Sequence, residues 1–251
     1  MKFNTSLGDR GKAMILAAGL GTRLKPWTDK HPKALALING KSLLQRNIEY
    51  LQRFNIRNVV VNVHHFADQI IDIIKKNNGW GSTITISDET ESVLETGGGL
   101  KKASLFLKDE DEFILMNVDV LTDLPLDKMI ADHLYKKPLA TLATTNRTTS
   151  RYFLFNNNNE LCGWRNVETG IDKISRASAK YHQKAFSGIH VISGRIFSLM
   201  NQEGKFSMID VYLETSKSEV IRSFDHSGSR FIDVGKPESI LKAETIFATS
   251  V

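Results

Sequence analysis

From Ala13 to Ala18 the chain is unbroken apolar (Ala-Met-Ile-Leu-Ala-Ala), and it runs straight into Gly19-Leu20-Gly21-Thr22-Arg23. A strand with no polar face must be covered on both sides. Such strands belong to the middle of parallel sheets flanked by helices. Arg10 and Lys12 just upstream mimic the basic start of a secretory leader. The apolar stretch is too short for one, and the glycines follow at once. A buried strand entering a glycine-rich turn is therefore expected.

The pattern repeats downstream. Ser42 is placed to cap a helix carrying Leu44, Ile48 and Leu51 on one face. Residues 58–63 read as a strand rich in β-branched side chains, and 66–76 as an amphipathic helix. Residues 83–87 are a strand. Gly97-Gly98-Gly99 opens a helix through Leu100, Ala103 and Leu107. A strand at 112–117, a helix at 126–135 and a strand at 139–145 follow.

This alternation predicts a single-domain, Rossmann-like α/β fold, with a mainly parallel twisted sheet and helices on both faces. Ligands of such sheets bind at the carboxyl ends of the strands, which singles out the loops after Ala18 and Asn117.

The second half is more β-rich. Residues 151–155 and 160–164 flank four asparagines, Asn156 to Asn159, that read as a hairpin turn. A strand at 185–192, a helix at 206–215, strands at 219–224 and 230–234 and a closing helix at 237–247 complete the pattern. This region is expected to be a mixed β extension of the same sheet. The domain is placed at residues 12–247, behind a polar extension at 1–11.

Composition removes several classes. Of 251 residues, 41% are hydrophobic and 24% charged, as in a globular domain with a sizeable core. Apolar runs fall short of the roughly 18 residues a membrane span needs. No dense Lys/Arg block marks a nucleic-acid partner. A net charge of +5 suits phosphate-bearing ligands but is small for this length. Cys162 is the only cysteine, which excludes an internal disulfide and fits a reducing, cytoplasmic setting. It is expected to be a structural small hydrophobe.

Three constellations carry chemistry. The turn after Ala18 can bring backbone N–H groups against phosphate, with Arg23 as a planar fork and Lys33 as a point charge. It is not a dinucleotide fingerprint, because Leu24 stands where the third glycine belongs. Nor is Gly40-Lys41-Ser42 the end of a P-loop, because Leu35 replaces the required glycine. The second constellation is Leu94-Glu95-Thr96-Gly97-Gly98-Gly99-Leu100. A triple glycine is costly in a helix, so something needs a close approach there. The third is a carboxylate at a strand end, Asp119 in Asn117-Val118-Asp119. Such a group suits Mg²⁺, which takes one or two carboxylates plus substrate phosphates. Asp123 is expected to be structural.

Taken together, Leu16-Ala17-Ala18-Gly19, Gly21-Thr22-Arg23, Pro26 and Pro32-Lys33 resemble the signature of the sugar-phosphate nucleotidyltransferases, and the likeness runs from about Ala13 to Phe247. The resemblance implies the nucleotide-diphospho-sugar transferase fold and transfer of a nucleotidyl group from a nucleoside triphosphate (NTP) to a sugar 1-phosphate. It implies Arg23 and Lys33 as catalytic residues. Leu16, Ala17, Ala18, Gly19, Gly21, Thr22, Glu95, Thr96 and Gly97 would bind nucleotide. Asp119 and Asp233 would hold Mg²⁺, the latter within Phe231-Ile232-Asp233-Val234-Gly235. Val118 departs from the glycine usual in the family. Gly98, Ser187, Gly188 and Arg165 would face the sugar phosphate, with Lys173 and Lys184 as further candidates. His190 reads as structural.

The Glu-Thr-Gly-Gly-Gly wording resembles the N-acetylmuramate 1-phosphate uridylyltransferase branch, implying UTP as donor and a cell-wall role. The alternatives are GTP with mannose or heptose 1-phosphate, or an inactive nucleotide-sugar-binding regulator. A monomer or homodimer is expected, with small-molecule substrates as the only partners.

Overall fold

Alternate residues of the first strand, β1 (Lys12–Leu16), face opposite cores, and this sets the architecture. Ala13 and Ile15 enter one core and Met14 the other, all fully buried. The computed structural model describes residues 11–248. The expected 1–11 extension lies outside them apart from Gly11.

A short ribbon, β2 (Leu37–Ile38) and β3 (Lys41–Ser42), leads into α1 (Leu43–Gln52), where the Ser42 hydroxyl accepts from Gln45 N at 3.1 Å. Then come β4 (Asn58–Val63), α2 (Ala67–Lys76) and β5 (Thr83–Asp88). Helices α3 (Glu95–Lys102) and α4 (Ser104–Leu107) precede β6 (Glu112–Asn117) and β7 (Val120–Thr122). Next are α5 (Leu126–Lys136), β8 (Ala140–Thr145), β9 (Arg151–Phe155), β10 (Leu161–Asn166), β11 (Ile171–Ile174) and β12 (His182–Ser193). The last elements are α6 (Met208–Thr215), β13 (Ile221–Asp225), β14 (Phe231–Asp233) and α7 (Pro237–Ile246).

The sheet runs β5-β4-β1-β6-β12-β8-β13, and only β12 opposes its neighbours there. Helices α1, α2, α5 and α7 pack on one face, while α3, α4 and α6 pack on the other. β12 is long enough to serve two partners. Its first residues pair with β9, which carries the β10–β11 hairpin, and the rest joins β6 and β8. The mixed extension therefore belongs to the same sheet, as its sequence predicts. One expectation changes. The strand at 230–234 does not join that sheet. As β14 it pairs only with β7, so Asp233 lies opposite Val120. Among the described residues no helix is long and apolar enough to cross a membrane.

The triple glycine answers to packing. A side chain on Gly97 would strike the Phe206 ring at 2.5 Å, and one on Gly98 the Gly204 carbonyl oxygen at 2.3 Å. One on Gly99 would meet Glu89 Oε1 at 2.7 Å. α3 thus lies directly against the 204–206 loop. Gly98→Ala should destabilise the fold by about 1–3 kcal/mol, because a backbone carbonyl must move. For a chain this long that corresponds to a Tm fall of several degrees, at about 2–4 °C per kcal/mol. An unchanged Tm in thermal denaturation would refute the close packing of α3 on this loop.

Candidate nucleotide and metal site

The cleft opens at the carboxyl end of β1, where strand geometry puts the glycine-rich turn. The turn is pinned from inside: Thr28 Oγ1 and Leu24 N both donate to the Gly21 carbonyl, at 3.0 and 2.8 Å. Leu16, Ala17, Ala18 and Gly19 form one wall of a cavity of about 180 Å³. Glu95 and Thr96 form another, and Lys33, Asn117, Val118 and Asp119 the floor. An added side chain on Gly19 would meet nothing within 4 Å, so this part of the turn is open to a ligand. Thr22 and Arg23 are exposed on the short turn beyond.

Three residues of this cavity escaped the sequence reading: Asn62, Glu89 and Val93. The first two form a buried clip. Asn62 Oδ1 accepts from the N–H groups of Ala17 and Ala18 at 2.6 and 3.3 Å, and its amide donates to Glu89 Oε1 at 2.7 Å. Burial pushes the Glu89 carboxyl above the usual carboxylate range, against the pull of the Asn62 hydrogen bond. The clip ties β4 and the segment after β5 to the turn. No local pattern announces that a polar residue of β4 will meet a carboxylate just past β5.

Glu95 carries backbone strain at the rim. It adopts φ +59°, a left-handed conformation costing a side-chain-bearing residue roughly 1–2 kcal/mol. Strain of this kind gathers at ligand sites. Gly97 and Gly98, expected to hold ligand, have another task. Their N–H groups donate to the Phe206 carbonyl at 2.9 and 3.2 Å, and neither lines the cavity. The Thr96 hydroxyl accepts from Met208 N at 2.9 Å.

The aspartate pair is assembled by the β7–β14 ribbon. Val234 N donates to the Asp119 carbonyl at 2.9 Å, and Asp123 clamps Arg230 through its main-chain N–H and Nε, both at 2.7 Å. Asp123 is therefore structural, as expected. Lys33 Nζ pairs with Asp119 Oδ2. Asp233 sits at the rim, reached by solvent on one side and walled by protein on the others. That loss of water, reinforced by the Asp119 charge, raises its pKa above the ordinary carboxylate range, while Lys33, Arg23 and Arg147 pull it back. Gly235 lies under the group: a side chain there would stand 2.7 Å from Asp233 Oδ1 and 2.9 Å from an Arg23 guanidinium nitrogen. Val118, in the position usual for glycine, buries its side chain in the core and donates its N–H to Leu16 O at 3.2 Å.

Ser187 and Gly188 lie where the β8–β12 register slips. An added side chain on Gly188 would strike Asn117 Nδ2 at 2.8 Å, so this irregularity backs directly onto the cleft floor. Ser187 Oγ bonds His226 Nε2 at 2.8 Å and is buried. His190 is buried with Nδ1 on the Tyr212 hydroxyl at 2.7 Å, a structural contact. Arg165 is not in the cleft group. On the exposed β10–β11 hairpin its Nε and Nη2 donate to both oxygens of Asp172, at 2.8 and 2.6 Å. Lys173 lies over the Trp164 ring on the same hairpin, and Lys184 pairs with Asp225 at 2.5 Å. Cys162 is buried and free, and burial pushes its thiol pKa up.

A glycine-rich turn ends a central parallel strand and is faced by two carboxylates with cations around them, an arrangement whose chemistry suits a phosphate-bearing ligand and a divalent cation. The chain belongs to the nucleotidyl transferase family, whose model matches residues 12–250. It is 28% identical over 247 residues to a mannose-1-phosphate guanyltransferase of Yarrowia lipolytica, covering 96% of this chain and 65% of the relative. It therefore spans about two thirds of that relative's length. Over 109 residues it is 43% identical to the N-acetylmuramate alpha-1-phosphate uridylyltransferase of Caulobacter vibrioides, covering 43% of this chain and 45% of that one. The structure is similar to HddC from Yersinia pseudotuberculosis, solved with GMP-PN, with a TM-score of 0.74 and 25% identity, covering 94% of this chain and 99% of the other.

Proposed function

We propose that the protein transfers a nucleotidyl group from an NTP to a sugar 1-phosphate. An oxygen of the sugar phosphate attacks the α-phosphorus, the bond to the bridging oxygen of the β-phosphate breaks, and pyrophosphate leaves. No general base is needed, because a phosphate monoester is already an anion. The observation that carries this reading is the Lys33–Asp119 pair beside Asp233, at the foot of the glycine-rich turn. Catalysis in such a site is positioning and charge neutralisation.

The turn from Gly19 to Arg23 would cradle the triphosphate, with Arg23 toward the leaving pyrophosphate and Lys33 toward the α-phosphate. Asp119 and Asp233 would hold Mg²⁺, whose charge would offset the burial and the Asp119 repulsion that raise the Asp233 pKa. When bound, the ion neutralises charge at the transferring phosphate. Glu95, Thr96 and the Asn62–Glu89 clip would bound the nucleobase end. The complete set of cations and carboxylates favours a working enzyme over an inactive regulator. These substrates go with a cytoplasmic location.

The favoured pair is UTP with N-acetylmuramate 1-phosphate, supported by the 43% identity to the Caulobacter uridylyltransferase. The second reading is GTP with mannose 1-phosphate or a related sugar, supported by a guanyltransferase match over 96% of the chain and by the likeness to HddC. Incubation with Mg²⁺ and a matrix of NTPs and sugar 1-phosphates, following pyrophosphate, decides between them. Release with UTP and N-acetylmuramate 1-phosphate is expected. Release only with GTP moves the assignment to the second reading, and no release from any pair overturns the transferase reading.

A further inference from the structure

An acceptor that arrives as a phosphate dianion needs a cation not already neutralised by a carboxylate. Among the basic residues of the second half considered for this role, Arg165 is held by Asp172, Lys184 by Asp225, and Lys173 lies near Asp210 at 3.6 Å. Arg147, just past the end of β8, is different. Its guanidinium donates to two neutral oxygens, Thr145 Oγ1 at 3.1 Å and the Phe186 carbonyl at 2.7 Å. It lies over the Phe231 ring, 4.6 Å from the centroid.

Among the described residues it makes no ion pair. A guanidinium has five N–H donors, so three remain for a ligand. Burial lowers its pKa and the charge of Asp233 raises it, so the guanidinium lies within electrostatic reach of that carboxylate. Phe231 lies two residues before Asp233 on β14, and Phe186 adjoins Ser187 and Gly188 at the register slip. Arg147 is thus braced by both elements that border the acceptor side. Lys33 and Arg23 reach the aspartates from the opposite, glycine-rich side.

We propose that Arg147 is the residue that grips the phosphate of the sugar 1-phosphate, in the role for which the sequence suggests Arg165. This rests on the transferase reading. The competing account makes Arg147 a brace that ties the turn after β8 to β12. A brace would affect folding or both substrates alike, whereas a grip affects the acceptor alone.

The test is steady-state kinetics of Arg147→Ala and Arg147→Lys with the substrate pair the wild-type protein uses. Arg147→Ala should raise the acceptor KM roughly 10- to 100-fold, the scale of a lost charge-assisted hydrogen bond, with the NTP KM within about twofold. Arg147→Lys should recover part of the loss, since the charge remains and the fork does not. Inorganic phosphate should compete with the acceptor in the wild type and lose potency in Arg147→Ala. An unchanged acceptor KM, an equal rise in both KM values, or a fall in Tm alone overturns the proposal. If the wild type releases no pyrophosphate from any pair, the transferase reading has failed. Calorimetric titration of wild type and Arg147→Ala with sugar 1-phosphate then decides on Arg147, and equal affinity refutes it.

Discussion

Asp119→Asn is expected to cut pyrophosphate release by about three orders of magnitude while the protein stays folded. The substitution keeps the shape of the side chain and removes its charge. Three effects follow. The group proposed to hold Mg²⁺ loses its negative charge, Lys33 loses the partner that fixes its ammonium group, and Asp233 is freed from a repelling neighbour. The first two damage the chemistry. The third partly offsets the stability lost with the ion pair, because Lys33 still has Asp233 close by. A net destabilisation of about 1–2 kcal/mol is expected, well inside the margin of a domain this size. Circular dichroism and urea unfolding check the fold, and a coupled pyrophosphate assay checks the rate. A variant with full activity would show that the pair is not the metal site.

A fall in pH from 7 to 4.5 should remove about 5 kcal/mol of stability through two buried histidines, His190 and His226. Burial lowers the His190 pKa to about 3 and that of His226 to about 4. Both groups therefore stay neutral in the folded protein, whereas in the unfolded chain they titrate near pH 6.5. The sign follows directly. Above pH 6.5 neither state binds the proton and the full stability is present. As pH falls toward 4, the unfolded chain takes up protons that the folded one refuses, and stability is lost. At pH 4.5 each histidine is about two units below its unfolded pKa, or about 2.7 kcal/mol. Glu89 and Asp233, whose pKa values burial raises, act in the opposite direction and soften the fall. Urea midpoints measured from pH 7 to 4.5 test this, and His190→Gln should remove about half of the dependence. Equal midpoints at the two ends would refute it.

What the sequence shows and what it hides divide along physical lines. The segment from Leu16 to Lys33 is legible because strand, turn and cations are contiguous and each obeys a local rule. The βαβ order is legible for the same reason. The meeting of Asp119 with Asp233 depends on β7 and β14, three residues each, too short to carry a periodicity. The glycine triplet announces a close approach but not its direction. Only the structure shows that atoms of Phe206, Gly204 and Glu89 crowd these glycines. Arg165 and Arg147 look alike as isolated arginines. What separates them is a cross-strand neighbour, Asp172 for one and only neutral oxygens for the other.

The position of β14 also bears on the order in which the molecule comes into being. Every strand of the main sheet, through β13 at Asp225, is synthesised before Asp233. The turn, the Asn62–Glu89 clip, Lys33 and Asp119 can all be in place on a nascent chain that has only one of the two carboxylates. Under the proposed function, such a chain would lack one of the two carboxylates assigned to the metal until the ribbon closes. The short strand β14 therefore brings the second carboxylate beside Asp119 only after every strand of the main sheet has been made.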